Sequence, residues 1–164
     1  FVRNGNIYTS DSMDGGGEVE LTSAGTDTRP SWSPDGKKIA YNLADPPYYI
    51  YTINSADGSG QTLVSSNGGL ADDSSPSWSP DGTKIIYGIT INVYTISPDG
   101  TGETLVISNG YYPGWTPDSK KIVYSNMSTG FWEIYIANED GTGVHQLTSA
   151  MNFASYPCAQ GKPR

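Results

Sequence analysis

Cysteine occurs once in this chain, at Cys158, and histidine once, at His145. An intrachain disulfide therefore cannot form, and packing and strand pairing must hold the fold. A Ser-His-Asp triad or a multi-histidine metal site has almost nothing to work with. Basic residues are also scarce, 9 against 17 acidic, and the formal net charge of −8 argues against nucleic acid as a partner. No apolar run approaches the roughly 20 residues that cross a bilayer, so membrane insertion is not expected. The opening Phe1-Val2-Arg3-Asn4 lacks the apolar segment of a signal peptide. Neither a Gly-x-Ser-x-Gly elbow nor a Gly-x-x-x-x-Gly-Lys phosphate loop occurs. The expectation is a chain with no catalytic residues, no metal and no cofactor.

Glycine, proline and aromatics are plentiful. The 20 Gly and 11 Pro interrupt regular structure often, while 12 Tyr and 4 Trp favour pleated, half-buried strands. At 164 residues the chain suits one domain of many short strands and tight turns.

Those strands recur with a period. Pro30-Ser31-Trp32-Ser33-Pro34-Asp35-Gly36-Lys37-Lys38-Ile39-Ala40-Tyr41 is matched by Pro76 to Tyr87 and by Pro113 to Tyr124. Between these blocks Tyr51-Thr52-Ile53, Tyr94-Thr95-Ile96 and Tyr135-Ile136-Ala137 each precede an Asp-Gly turn, and Ile7-Tyr8-Thr9 with Asp14-Gly15 adds a fourth copy. The turn aspartates, Asp14, Asp57, Asp99 and Asp140, step by 43, 42 and 41 residues. In Ser-Pro-Asp-Gly, proline presets φ and glycine accepts φ > 0, so the chain reverses between a Trp strand and a Lys-Ile-x-Tyr strand. The Asp-Gly turn and the leucine after it (Leu63, Leu105, Leu147, with Leu21 at the start) make a second hairpin. Asn4-Gly5 marks a further two-residue turn.

Four strands per roughly 42 residues describe the blade of a propeller, because a small sheet with two apolar faces buries both only between neighbours. No unit has the roughly ten-residue helical spacing that a helical repeat needs, and a sandwich would not need the same turn every period. The expected fold is an all-β propeller of four four-stranded blades in a single domain, 1–164, with blades near 1–22 plus 153–164, 28–64, 75–106 and 111–148. Aligning Lys162 with Lys37 carries Phe1 and Val2 onto Ala40 and Tyr41. Tyr156 to Arg164 is then expected to supply the first strand of the blade that Phe1 to Leu21 begins. That closure is either intrachain or a strand exchange between copies, giving a homo-oligomer; a third possibility is that the chain is a piece of a longer propeller. In this last copy Ala159 replaces the tryptophan, so that blade should pack less tightly.

The pattern Pro-Ser-Trp-Ser-Pro-Asp-Gly-Lys-Lys-Ile-x-Tyr, followed by Ile-Tyr-x-Ile, Asp-Gly and Leu147-Thr148, resembles the WD-like propeller repeats of the TolB family. The resemblance implies a non-catalytic binding or scaffold module in an extracytoplasmic, periplasmic or secreted setting. The same repeat also occurs in the non-catalytic propellers of serine peptidases, which leaves a fragment of a larger peptidase as one alternative, and the split strand leaves a self-assembling structural unit as another.

An up-and-down meander puts Asp35, Asp81, Asp118 and the Asp-Gly aspartates on one side, where they serve the turns or, alternatively, calcium or a cationic partner. The other side carries connections that vary: 42–48, 65–75, 88–90, 107–111, 125–131 and 149–154. Tyr48, Tyr49, Tyr111, Phe131, Trp132 and Phe153 cluster there and are the candidate binding residues for a protein, peptide or glycan ligand. Tyr49 and Trp132 are equally well placed to begin strands and pack between blades. His145 is expected to face solvent on a strand, and Cys158 to be a small packing residue. Asn126-Met127-Ser128 matches a glycosylation acceptor, a motif that arises often by chance.

Overall fold

The computed structural model describes residues 1–11, 16–43, 48–65, 75–128 and 130–149. Phe153, Asp14, Cys158 and the expected closing strand 156–164 lie outside these.

The chain builds four antiparallel sheets in succession. The first holds β1 (Val2–Arg3), β2 (Asn6–Thr9) and β3 (Val19–Glu20). The second holds β4 (Asp27–Trp32), β5 (Lys38–Leu43), β6 (Ile50–Asn54) and β7 (Thr62–Leu63). The third runs β8 (Ser77–Trp78), β9 (Ile85–Ile89), β10 (Asn92–Ile96) and β11 (Thr104–Ser108), and the fourth β12 (Tyr111–Trp115), β13 (Lys121–Asn126), β14 (Glu133–Asn138) and β15 (His145–Gln146). Strand order within each sheet is sequence order, and inter-sheet contacts run first to second, second to third and third to fourth. This is an all-β propeller arrangement of four blades, with β4, β8 and β12 as their inner strands.

Turn chemistry explains the hairpins. Asp35 Oδ1 accepts the Ser33 hydroxyl at 2.7 Å and the Lys37 amide at 3.1 Å, while Ser33 Oγ accepts the Lys38 amide at 2.9 Å. Asp81 and Asp118 repeat this with Ser79 and Thr116. In the outer hairpins Asp57, Asp99 and Asp140 each accept the amide and hydroxyl two residues on. Their role as turn formers is therefore direct. Where the repeat has glycine, the third copy has Ser119 at φ 62, and its hydroxyl accepts the Asp81 amide at 3.0 Å from the neighbouring sheet.

These bonds hold Asp35, Asp57, Asp81, Asp99, Asp118 and Asp140 below the ordinary carboxylate value, the neighbouring hydroxyl being the main cause in each. A depressed folded value means that the stabilisation is complete above the unfolded value of 3.8 and is lost as pH falls through the folded values. Melting temperature should therefore fall as pH drops below about 4. A melting temperature that rises between about pH 4 and 2 would contradict this.

Period-two alternation on the second strand of each blade builds the seams. Ile39 and Tyr41 join Ile7, Leu21 and Ile53 between the first two sheets, whereas Ala40 faces the other way, onto Trp78, Ile85 and Tyr87. Ile86 in turn meets Trp115, Ile122 and Tyr124 in the third seam. Cross-strand tyrosines stack beside each seam, Tyr41 on Tyr51 at 6.0 Å, Tyr87 on Tyr94 at 6.1 Å and Tyr124 on Tyr135 at 5.7 Å. Trp115 also donates its indole N–H to the Ser77 carbonyl across the seam at 3.3 Å. Trp78 and Trp115 are buried, but Trp32 is 51% exposed. In the buried pair the indole packs against the preceding sheet, and ahead of Trp32 the described first sheet begins only with β1, the counterpart of a second strand.

Two registers differ from the sequence expectation. Leu21, Val64 and Leu147 donate equivalent amides to Ile7, Ile50 and Ile134, so Leu21 corresponds to Val64 and not to the exposed Leu63. The hydroxyl of the next residue, Thr22, Ser65 or Thr148, accepts the amide of that same isoleucine, which gives the Leu-Thr pair its function. Phe1 stacks on Tyr8 at 5.6 Å and Val2 pairs with Ile7, as Tyr41 stacks on Tyr51 and Asn42 pairs with Ile50. Phe1 thus stands where Tyr41 stands, one residue beyond the alignment with Ala40.

Candidate functional site

The strands run further into the variable connections than expected: Gly88 and Ile89 belong to β9, Ile107 and Ser108 to β11, and Ser125 and Asn126 to β13. What remains at the fourth blade is compact. Asn126 bridges its two connections, its Nδ2 donating to the Asn109 carbonyl at 2.7 Å and its Oδ1 accepting the Ser128 amide at 2.6 Å. Its amide, part of the glycosylation-like triplet, is thus engaged on both sides. Asn109, Tyr111, Asn126, Met127 and Ser128 line a cavity of 220 Å³.

Three rings gather beside it. Tyr111 meets Trp132 edge-on at 5.0 Å, and Tyr112 lies 6.4 Å from each, all three half-buried. Edge-to-face geometry at this spacing is favourable and fixes the rings. Phe131 next to Trp132 is 58% exposed, and Met127 is 50% exposed. Tyr112, which the sequence reading passed over, is brought in by its backbone. Its φ of 51 lies in the left-handed region, and the β12–β13 register shifts between Tyr111 and Gly114. The same bulge recurs at Arg29, φ 54, in the second blade, so it belongs to the repeat. At the fourth blade it places adjacent tyrosines on one cluster, where an unbroken strand would send them to opposite faces.

Tyr48 and Tyr49 separate from this group. Tyr48 and Tyr49 are half-buried on the second blade, where the Tyr49 carbonyl accepts the Leu43 amide at 3.1 Å. Phe153 lies outside the described residues. His145 is exposed on β15.

On the turn side, Pro34, Lys37, Lys38, Trp78, Asp81 and Pro98 line a cavity of 370 Å³ between the second and third blades. Its aspartate Oδ1 atoms are committed to their turns. Among the described residues no three metal-ligating side chains come together, and no helix is long and apolar enough to cross a membrane.

One buried carboxylate was not singled out by the sequence reading. Asp27, at the start of β4, is 1% exposed, and neither of its oxygens has a hydrogen-bond partner. Burial raises its carboxyl above the ordinary value, offset in part by the nearby Thr22 hydroxyl, which does not reach hydrogen-bonding geometry with either oxygen. Tyr41 beside it accepts an amide hydrogen from Gln61 at 2.6 Å, and burial pushes its phenol up to about 12.

Comparison with known proteins follows the repeats. The family described as TolB beta propeller domain (PD40) matches residues 3–159. No curated protein sequence matches. TolB from Acinetobacter baumannii superposes with a TM-score of 0.76 at 24% identity, over 92% of this chain and 39% of that one. A protein assigned as TolB from Agrobacterium tumefaciens gives 0.70 at 20%, over 87% and 60%. The β-propeller domain of the Trilobed protease from Pyrococcus furiosus, described as having an open velcro topology, gives 0.54 at 17%, over 88% and 52%. At these identities the structures attest the fold, and the chain spans less than two thirds of each.

Proposed function

This chain belongs to the TolB β-propeller family, and from that premise we propose that it is a non-catalytic, extracytoplasmic binding module whose fourth blade takes a protein, peptide or glycan ligand. The carrying observation is the ring cluster of Tyr111, Tyr112 and Trp132, flanked by exposed Phe131 and Met127 above a small cavity. Preset rings present apolar faces without the ordering cost that flexible side chains carry, and both sugar rings and peptide side chains stack on such faces. Of the polar groups that line the cavity, the Asn109 side chain and the Ser128 hydroxyl can read hydroxyls or backbone amides, while Asn126 holds the two connections together. Tyr48, Tyr49 and Phe153 are not needed for this site.

The test is a binding screen of glycan fragments and displayed peptides, repeated on Trp132→Ala and on Phe131→Ala. Loss of a central aromatic anchor costs about 2 kcal/mol or more, a loss of affinity of roughly thirtyfold. Selected ligands that bind both variants as tightly as the parent protein would overturn the proposal.

A second reading, a self-assembling unit, is favoured by the inner edge of the first blade. Among the described residues β1 is an edge strand, and Phe1, Val2 and Trp32 around it are 49%, 39% and 51% exposed. An apolar edge of this kind invites another strand. A strictly monomeric mass at high concentration would dispose of that reading as far as copies of the chain are concerned.

A further inference from the structure

We propose that the seam between the first and second blades holds a second site, in which the Asp27 carboxylate receives the ammonium or guanidinium end of a basic side chain. Thr22, Ser23, Asp27, Tyr41 and Gln61 are among the residues that line a cavity of 260 Å³ there. Asp27 is the one charged group among these described walls. The volume exceeds a single water's share of about 30 Å³ several times over and suits the head of one side chain.

The carboxylate has no structural task that the fold can be seen to require. The Asp27 amide makes the tie to the first blade, donating to the Gly5 carbonyl at 2.7 Å, while both side-chain oxygens are left unpartnered. In the other repeats, the third position before the proline is Asp73, Gly110 or Ala154, so a blade can be built without an acid there. A buried carboxylate without a partner is costly when ionised, and pairing with a cation removes that cost.

Further donors and acceptors surround the same point. Thr22 Oγ accepts the Ile7 amide and keeps its own hydrogen to give; Tyr41 O accepts from Gln61 and likewise keeps its hydrogen. A cationic head placed on Asp27 would find hydroxyl oxygens on two further walls. Gln61 and Ser23 are exposed at the rim. This site is independent of the aromatic cluster on the fourth blade.

The experiment uses n-butylammonium and N-ethylguanidinium chlorides as probes, with sodium, potassium and calcium chlorides at matched ionic strength. Melting temperature and the ¹³C resonance of the Asp27 carboxyl are read together. An organic cation should raise the melting temperature and move the Asp27 resonance in a saturable way, and the tighter of the two names the side chain. Asp27→Asn should remain folded and bind at least about tenfold more weakly. Tyr41→Phe keeps the buried ring and should weaken binding less, which preserves the test if the asparagine variant does not fold. No response to either organic cation, an equal response to the inorganic salts, or an unchanged response in both variants would overturn the site.

Discussion

Replacing Gly141 by alanine is expected to cost at least about 3 kcal/mol and to lower the melting temperature by roughly 10 °C. The glycine stands at φ +82, where an alanine pays about 1 kcal/mol for the left-handed backbone. The larger share is steric, since a Cβ would lie 1.9 Å from the Val106 carbonyl oxygen on the last strand of the preceding blade. Backbone cannot rotate out of the way, so the two blades must separate. Gly58 repeats the contact two seams earlier, its added Cβ meeting the Leu21 carbonyl at 2.0 Å, and should respond alike. Gly36 is the control. It shares the positive φ, at +71, but an added Cβ there meets nothing within 4 Å, and Gly36→Ala should cost about 1 kcal/mol. Thermal melts of the three variants decide the matter. Equal losses would mean that turn conformation alone, and not inter-blade approach, explains the Asp-Gly repeat.

Trp115→Ala is the second large effect, at about 3–5 kcal/mol by urea unfolding, because it empties the third seam and removes the bond to Ser77. Trp32→Ala, at the same repeat position, should cost about 1 kcal/mol or less, since half of that indole is already exposed. If Trp32→Ala proves as costly as Trp115→Ala, a strand covers Trp32 in solution, and the self-assembly or strand-closure reading gains over the simple binding module.

The repeat, its turns and the Ile-x-Tyr strands were legible in the sequence because they depend on local chemistry. A Pro-Asp-Gly turn bonds within five residues, and period-two alternation sorts Ile39 and Tyr41 from Ala40 without knowledge of the neighbour. What depends on pairing was less visible. The counterparts of Leu21 slipped by one, because Leu63 and Leu105 look like the buried member of their strands yet point to solvent, and a shift of one residue exchanges faces. Trp32 carries the same motif as Trp115, and its exposure follows from what stands ahead of it in space.

The candidate site divided in the same way. Tyr111, Phe131 and Trp132 were recognised as aromatics on variable connections, and the structure groups two of them as a ring pair beside the third. Tyr112 was passed over because strand alternation sends it away from Tyr111, and only the bulge before Pro113 reverses that. Asp27 sits in Gly25-Thr26-Asp27-Thr28, which reads as an ordinary connection. The available signal was the comparison of repeats, where the third position before the proline changes from Asp to Gly to Ala.

The central claim is that four repeats stand as four sheets side by side, each seam closed by the next blade. Hydrogen exchange of the four indole N–H groups by ¹⁵N NMR tests it most directly. The Trp115 indole, bonded across a seam, should exchange orders of magnitude more slowly than the half-exposed Trp32 indole at the same repeat position. Equal, rapid exchange at both positions would show that the third seam is not formed, and the stacked-sheet account would fail with it.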